Sequence, residues 1–353
     1  RDVTVECWAP ERRARRRATL EHSGVPYSLF PSLALGYERE VSPSLLTHFE
    51  REARTIDAVF LHGSVSYLSA LLLRRFGHVV PIIVQNHGET STLARAQRYG
   101  RKKPLDYSLR VRLERRAFSK ASRILCLNPE NIEDYVLNGV APERLMLSAM
   151  GVDLDAFGPL AESRQTLRAA LGLPANAVCL AFVGRLAQEK RVDRIFALMQ
   201  RLPSDHHLLV IGGGPEDRRL RARGAVFGDR VHFIGEITDR VRLNRYYNAS
   251  DLLVLASERE GLGMVLLESL AAGVPVVASN LPGPRSVLEA PSCGLSCDTE
   301  DPAAFAGAVQ RALSLPRDLS ARRARAARYS WQSVCDNHAA ILESLPRRRG
   351  STA

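Results

Sequence analysis

The chain has 353 residues, 45% hydrophobic and 25% charged, with no biased tract, which is more than one hydrophobic core usually serves and points to two domains. No run approaches the roughly 18–20 apolar residues of a membrane span and no signal peptide is read at the start, so no membrane-spanning helix is expected within these residues. The net charge of +11 asks for an anionic partner, and nucleic acid, lipid head groups and phosphorylated small molecules all qualify.

In chain order, the strand candidates are VTVEC (3–7), DAVFLHG (57–63), VVPIIVQN (79–86), SRILCLN (122–128) and AVCLAFVG (177–184). They continue with HHLLVIGG (206–213), RVHFIG (230–235), DLLVLA (251–256) and VPVVAS (274–279). Most are continuous apolar runs, which suits parallel strands covered on both faces. Helical spacing fills 64–76, 108–120, 190–202, 240–250 and 263–273. The alternation predicts doubly wound α/β sheets. Gly, Asp and Pro interrupt the periodicity in MGVDLDAFGPLAES (150–163), so two α/β domains are expected to face each other across a cleft, with ligands beyond the carboxyl ends of the strands.

Basic residues are unevenly spread. Eleven Lys/Arg lie between Arg95 and Arg123 against Asp106 and Glu114, and Arg12, Arg13, Arg15, Arg16 and Arg17 cluster near the start. Leu109, Leu113, Ala117 and Ala121 share one helical stripe within the first tract. Two readings stay open there: a helix lying on an anionic membrane, or a solvated charged face. The six cysteines are scattered, and Cys293 and Cys297 alone do not make a zinc signature, so buried thiols are expected.

Chemistry concentrates in SEREGLGMVLLESLAAGVPVVAS (257–279). Glu268 is the only charged residue between Gly261 and Ser279, and a buried carboxylate needs hydroxyl or amide donors around it. Glu260 stands eight residues earlier, before Gly261-Leu262-Gly263 and a helix starting near Met264 whose free N–H groups favour an anion. Either this loop serves sugar hydroxyls and phosphate, or it is a plain helix entry with Glu268 paired to an arginine. In AFVGRLAQEKRVDRIF (181–196), Gly184 ends a strand and Arg185 and Lys190 flank a helix start. That suits a diphosphate clamp or, with Arg191 and Arg194 nearby, a solvated basic face. IGGGPE (211–216) is a third strand-end glycine turn, without the signature of a P-loop or a full G-x-G-x-x-G.

FVGRL with EK, IGGGPE, VHFIGEI, NASDLLVLAS and EGLGMVLLE followed by AAGVPVVAS resemble the C-terminal domain of family 4 retaining glycosyltransferases, with Glu260 and Glu268 as the E-x₇-E element. The likeness runs from about Gly151 to Ala312, more loosely over 57–150, and includes YSWQSV (329–334). It implies an α/β fold of the GT-B type, two Rossmann-like doubly wound parallel-sheet domains. Residues 1–158 would form the acceptor-side domain, 159–328 the nucleotide-sugar domain, and 329–348 a terminal helix packing back on the first. VTVECWAP is similar to the family's second strand, so the first strand and its glycine loop are expected to be missing, at a cost to turnover more than to nucleotide binding.

The resemblance also implies roles. Arg185 and Lys190, beside Gly184, would hold the donor diphosphate, Glu260 would lie near the donor sugar, and Glu268 would bond the ribose. The amides of Leu262, Gly263, Met264 and Val265, after Gly261, would line sugar and phosphates. Phe233, Ile234 and Ile237 would border the nucleobase. His87, in VQNHGE, resembles a histidine beside the transferred sugar, while His62 reads better as structural. Ser286 stands where relatives often have an acidic residue, and Asn128 where Ser is common.

The implied activity is transfer, with retention, from a nucleoside-diphosphate sugar, UDP favoured over GDP, to a glycan or lipid-linked hydroxyl. No D-x-D motif with the right context is present, so no metal or other cofactor is expected. The expected location is the cytoplasm, with possible peripheral contact at the inner membrane face. The alternatives are a catalytically silent nucleotide- or glycan-binding partner protein and a sugar-nucleotide epimerase. A nucleic-acid-binding protein is disfavoured, because the basic clusters lack interleaved aromatics.

Overall fold

Apolar runs long enough to be covered on both faces become the parallel strands of two sheets, each in its own unit. The computed structural model describes residues 4–11, 16–22, 24–34, 40–62, 67–85, 107–148 and 150–345. Its chain divides into Arg1–Leu147 with Ala340–Ala353, and Ser148–Ala339. The sequence break at 158/159 falls later than this division. Residues 150–158 stay with the second unit because Val152 bridges to Ser330 and the Asn244 and Asn248 side chains hold Gly158 O at 3.0 and 2.9 Å.

In the first unit, β1 (Cys7–Glu11), β2 (Ala18–His22) and β3 (Val25–Pro31) form a sheet in the order β1-β3-β2. β1 runs parallel to β3, and β2 is antiparallel to it. The predicted strand 3–7 is therefore displaced: pairing of Cys7 with Tyr27 through Glu11 with Pro31 selects CWAPE, while residues 4–6 lie exposed outside the ladder. β4 (Leu33–Ala34) and β5 (Glu40–Val41) make a short antiparallel pair, and α1 (Pro43–Glu52) is capped by Ser42. Then β6 (Val59–His62), α2 (Tyr67–Phe76), β7 (Ile82–Gln85), α3 (Tyr107–Phe118), β8 (Arg123–Cys126), α4 (Pro129–Leu137) and β9 (Leu145–Leu147) follow. Their four strands are parallel in the order β6-β7-β8-β9.

One face of this sheet packs Ile82, Val84 and Ile124 against Leu73, Phe76 and Phe118, in a core that also takes Phe30 and Phe49. Ile83 and Leu125 on the other face are covered by Ile341 and Leu345. Asn128 caps α4 by accepting from Asn131 N at 3.0 Å, the service a serine would give there. The stripe on α3 is settled as well. Ala117 and Ala121 are buried in the core, so this face is not available to a membrane; Arg112, Arg115, Arg116 and Lys120 are exposed, and Leu109 lies outside the side chains described.

The second unit comprises α5 (Arg164–Ala170), β10 (Val178–Val183), α6 (Val192–Met199), β11 (His206–Ile211), α7 (Asp217–Gly224), β12 (Val231–Gly235) and α8 (Arg240–Ala249). It continues with β13 (Leu252–Leu255), α9 (Met264–Ala271), β14 (Val276–Ser279), α10 (Pro282–Val287), β15 (Gly294–Cys297), α11 (Pro302–Leu313) and α12 (Leu319–Ala327), and α13 (Trp331–Ser344) ends the described chain. The sheet order is β12-β11-β10-β13-β14-β15, so the direction of winding reverses between β10 and β13. Ligands of doubly wound sheets lie at such a switch point. A buried ion cluster locks the same two strands at their other end: Asp251 accepts from Arg164 at 2.7 Å, Arg168 at 2.5 Å and the Cys179 amide at 2.8 Å. All six cysteines are free thiols, and burial pushes that of Cys126 up to about 12.

Candidate active site

The two loops at the switch point, after β10 and after β13, carry Arg185, Lys190 and Glu260. They are tied together: Lys190 Nζ donates to Glu260 Oε2 at 2.7 Å, and the Glu258 amide donates to Glu189 O at 2.8 Å. Ser257 Oγ adds a longer contact to Glu260 Oε2 at 3.4 Å. Lys190 and Glu260 are each partly buried, so the pair is firmer than a surface ion pair. Arg185 is exposed, and its guanidinium has no partner among the described residues. Arg191 and Arg194 answer to other groups. Arg191 bonds Asp193 and Glu258, and Arg194 bonds Glu300, so these two are committed to ion pairs within the protein.

Gly184 sits at the end of β10, and the glycines after β11 let the neighbouring turn close on it. A Cβ on Gly212 would lie 1.9 Å from Gly184 O, and one on Gly214 would lie 2.4 Å from Leu186 O. The IGGGPE turn is thus required by backbone packing beside the site. The loop after β13 is seated in the same way, since a Cβ on Gly283 would lie 2.2 Å from Gly261 O.

The helix α9 opens on Gly263 at φ +89°, with no side-chain cap. Among the described residues, the amides of Leu262, Gly263, Met264 and Val265 have no hydrogen-bond acceptor. Four adjacent N–H groups at a helix start, two of them in the first turn, are thus left without a protein acceptor, an arrangement suited to an anion. Met264, Val265 and Glu268 make up the half-buried side of α9, whereas Leu266, Leu267, Ser269 and Leu270 face the core. Glu268 therefore shares the half-buried side of α9 with the side chains of Met264 and Val265.

Glu268 is bonded by the hydroxyl of Tyr247, whose Oη donates to Oε2 at 2.7 Å. No lysine or arginine pairs with it among the described residues, so the arginine alternative is not what the fold builds. Burial pushes its carboxyl above the usual range, and the Tyr247 hydroxyl and the positive field of Arg240 pull against that.

The remaining expectations fall as follows. Phe233, Ile234 and Ile237 lie at and just beyond the end of β12, all half-buried. The ring of Phe233 is occupied by Arg221, 4.8 Å from its centroid, and by the ring of Phe196 at 6.5 Å. His62 ends β6 with its ring 6.3 Å from that of Phe60, and is exposed. His87 lies outside the described residues. The sequence reading did not name Tyr247, Ser257 or Gly283. The demand of Glu268 for a hydroxyl donor was the signal for the first, but only the packing of α8 on α9 says which hydroxyl.

Two family models match the chain: "Glycosyltransferase Family 4" over residues 1–156 and "Glycosyl transferases group 1" over residues 163–330. A protein of Thermobispora bispora named "D-inositol 3-phosphate glycosyltransferase" is 30% identical over 309 residues, covering 82% of this chain and 70% of that one. The protein of the same name from Xylanimonas cellulosilytica is 30% identical over 255 residues, 68% of this chain and 61% of its own length. Among solved structures, sucrose-phosphate synthase from Thermosynechococcus elongatus superimposes with a TM-score of 0.72 at 22% identity, covering 96% of this chain and 88% of that one. The Anabaena protein HepE in complex with UDP gives 0.73 at 17% identity, covering 91% and 87%. At such identities these structures speak for the fold alone, which is GT-B.

Proposed function

The chain belongs to the family 4 glycosyltransferases, and from that premise we propose that it transfers a sugar, with retention, from a nucleoside-diphosphate sugar to an acceptor hydroxyl. The donor is a UDP-sugar, with GDP-sugars as the second choice. The observation that carries this reading is the run of unpartnered amides from Leu262 to Val265, set in sequence between Glu260 and Glu268, with Glu260 tied to Lys190 of the neighbouring loop. A nucleoside-diphosphate sugar presents a diol, a diphosphate and a sugar ring, and the site offers a carboxylate, an amide cradle with two cations, and a second carboxylate. HepE, of the same fold, is described with UDP and with UDP-glucose, which supports the choice of base.

When the sugar leaves, negative charge grows on the diphosphate. Lys190, held by Glu260, and the start of α9 are in place before the reaction, so they stabilise that charge with little reorganisation, and the exposed Arg185 closes on the diphosphate beside them. Lys190 carries three protons and directs one to Glu260 Oε2, so two remain for phosphate oxygens. Glu260 Oε1 remains for a sugar hydroxyl, which orients the ring for attack on the face the diphosphate leaves. The departing phosphate takes the acceptor's proton. These groups supply the positive charge from the chain itself, and transfer unaffected by EDTA is the expected result.

The acceptor is a hydroxyl of a glycan or a lipid-linked group, and the relatives' names make a phosphorylated cyclitol the first compound to assay. No helix among the described residues is long and apolar enough to cross a membrane. The exposed Arg112, Arg115, Arg116 and Lys120 support reversible contact with an anionic inner membrane face by charge alone. Pelleting with anionic vesicles at low salt, and none at high salt, is expected; no pelleting at either would remove the membrane from the proposal.

Calorimetric titration with UDP, GDP and ADP, followed by transfer assays with the matching glucose conjugates and anomeric analysis of the product, tests the function. A folded protein that binds none of the three nucleotides would refute it.

A further inference from the structure

Glu268 is held from below by a single phenol. Tyr247 is fully buried in α8, and its hydroxyl donates to Glu268 Oε2 at 2.7 Å. Oε1 of the same carboxylate has no partner among the described residues. Tyr247 cannot swing away easily. Its ring meets that of Phe157 edge-on, with centroids 5.9 Å apart and planes at 75°. One turn before Tyr247 and at the residue after it, α8 is anchored to the incoming chain. Asn244 Nδ2 and Asn248 Nδ2 donate to Gly158 O, and the Leu160 amide donates to Asn248 Oδ1 at 2.9 Å. Arg323 bonds Phe157 O and also Ala271 O at the end of α9, the helix that carries Glu268. Two routes thus fix the phenol relative to the carboxylate.

We propose that Tyr247 is a positioning residue of the donor site: by occupying Oε2 it turns Oε1 of Glu268 toward the ribose diol of a nucleoside diphosphate. The inference rests on the nucleotide reading above and deepens it. A carboxylate on a half-buried helix face has several rotamers, and an acceptor for a diol is useful only in one of them. A hydroxyl donor also favours the charged form against the burial that disfavours it, so the phenol keeps Glu268 an acceptor. The competing account is that Glu268 is there merely to satisfy a buried tyrosine. That account gives the pair a role in stability and none in recognising ribose.

Titration of the wild type with UDP, GDP and ADP selects the tightest nucleotide, which is then compared with its 2′,3′-dideoxy counterpart. Tyr247→Phe should bind the ribose form about tenfold more weakly, the scale of a lost hydrogen bond to a charged group, and the dideoxy form as well as wild type does. The ratio of variant to wild-type Kd for the ribose form should grow as pH is lowered, because burial, which raises the pKa of the carboxyl, is then opposed by Arg240 alone. In a Glu268→Gln background, adding Tyr247→Phe should change nothing further, and this pair keeps the test open if the single variant folds poorly. Equal loss for both ligands, a pH-independent ratio, or additive effects in the double variant would overturn the inference while leaving the nucleotide reading intact. Binding of no nucleotide by the wild type would overturn both.

Discussion

Gly263→Ala tests whether the start of α9 is an anion cradle or only a helix entry. Gly263 has φ +89° and ψ 77°, a left-handed conformation that costs an alanine about 1–2 kcal/mol. The new Cβ would lie 2.3 Å from Leu266 Cδ1 and 3.3 Å from Glu260 Cγ. Leu266 is fully buried in the core, so it must leave its rotamer, which adds about 0.5–1.5 kcal/mol. The sum, about 1.5–3.5 kcal/mol, corresponds to a fall in Tm of roughly 3–14 °C for a unit of this size. The backbone can escape the positive φ by turning the Leu262–Gly263 peptide, which reorients the Gly263 amide, and shifting Leu266 disturbs the first turn that carries the Met264 and Val265 amides. Nucleotide affinity should then fall by about tenfold, the scale of one or two lost charge-assisted bonds. Gly273→Ala is the control. It lies just past the other end of the same helix at φ +81°, and its Cβ would meet Leu319 Cδ2 at 2.4 Å, so it should cost similar stability and leave affinity alone. Thermal melts and nucleotide titrations on both variants decide the matter. Equal affinity losses, or none in Gly263→Ala, would refute the cradle.

Lys190→Met should lower turnover by about 10²–10³ while weakening nucleotide binding far less, because its charge matters most as the diphosphate departs; equal losses in kcat and affinity would contradict this. Asp251→Ala should cost about 3–5 kcal/mol, because it leaves the buried Arg168 guanidinium without its counter-charge; denaturant titration reads the loss, and the folded fraction should keep its nucleotide affinity. Acid should destabilise the fold through its histidines. Burial chiefly lowers the pKa of His48, His232 and His338, with Arg17 beside His48 and His207 beside His232 adding to it, so the unfolded chain binds more protons below its ordinary value near 6.5. Stability from these groups is complete above that pH and is lost as pH falls through the lower folded values. His232→Gln should flatten the decline below about pH 6.5, and an unchanged slope would show that His232 carries none of it.

How much was legible depends on whether local pattern or distant partners fix an element. The strands of the second unit were readable because AVCLAFVG, HHLLVIGG and VPVVAS are apolar on both faces, the mark of a central parallel strand. The hairpin β2–β3 was not, since ATLEH and VPYSLFP contain charge, proline and only weak alternation, and they become strands by pairing with each other and with β1. That same pairing moved the first strand from 3–7 to Cys7–Glu11. The stripe on α3 was read correctly as a stripe, but amphipathicity names no partner, and Ala117 and Ala121 turned out to face protein.

In the site, the sequence alone determined which residue types stand at strand ends: Gly184, Arg185 and Lys190 after one apolar run, Glu260 to Gly263 after another, and Glu268 alone in an apolar helix. Order and spacing suffice for that, because strands, glycine turns and helix starts are local structures. Only the tertiary structure decided which of those groups meet. The sheet order brings the loops after β10 and β13 together across some seventy residues of chain, so that Lys190 touches Glu260. It likewise sets α8 against α9, which hands Glu268 the phenol of Tyr247 and, among the described residues, no arginine. Such choices rest on winding order and on close backbone approach at Gly212, Gly214 and Gly283, which depend on elements far apart in sequence and leave no periodic trace within any one of them.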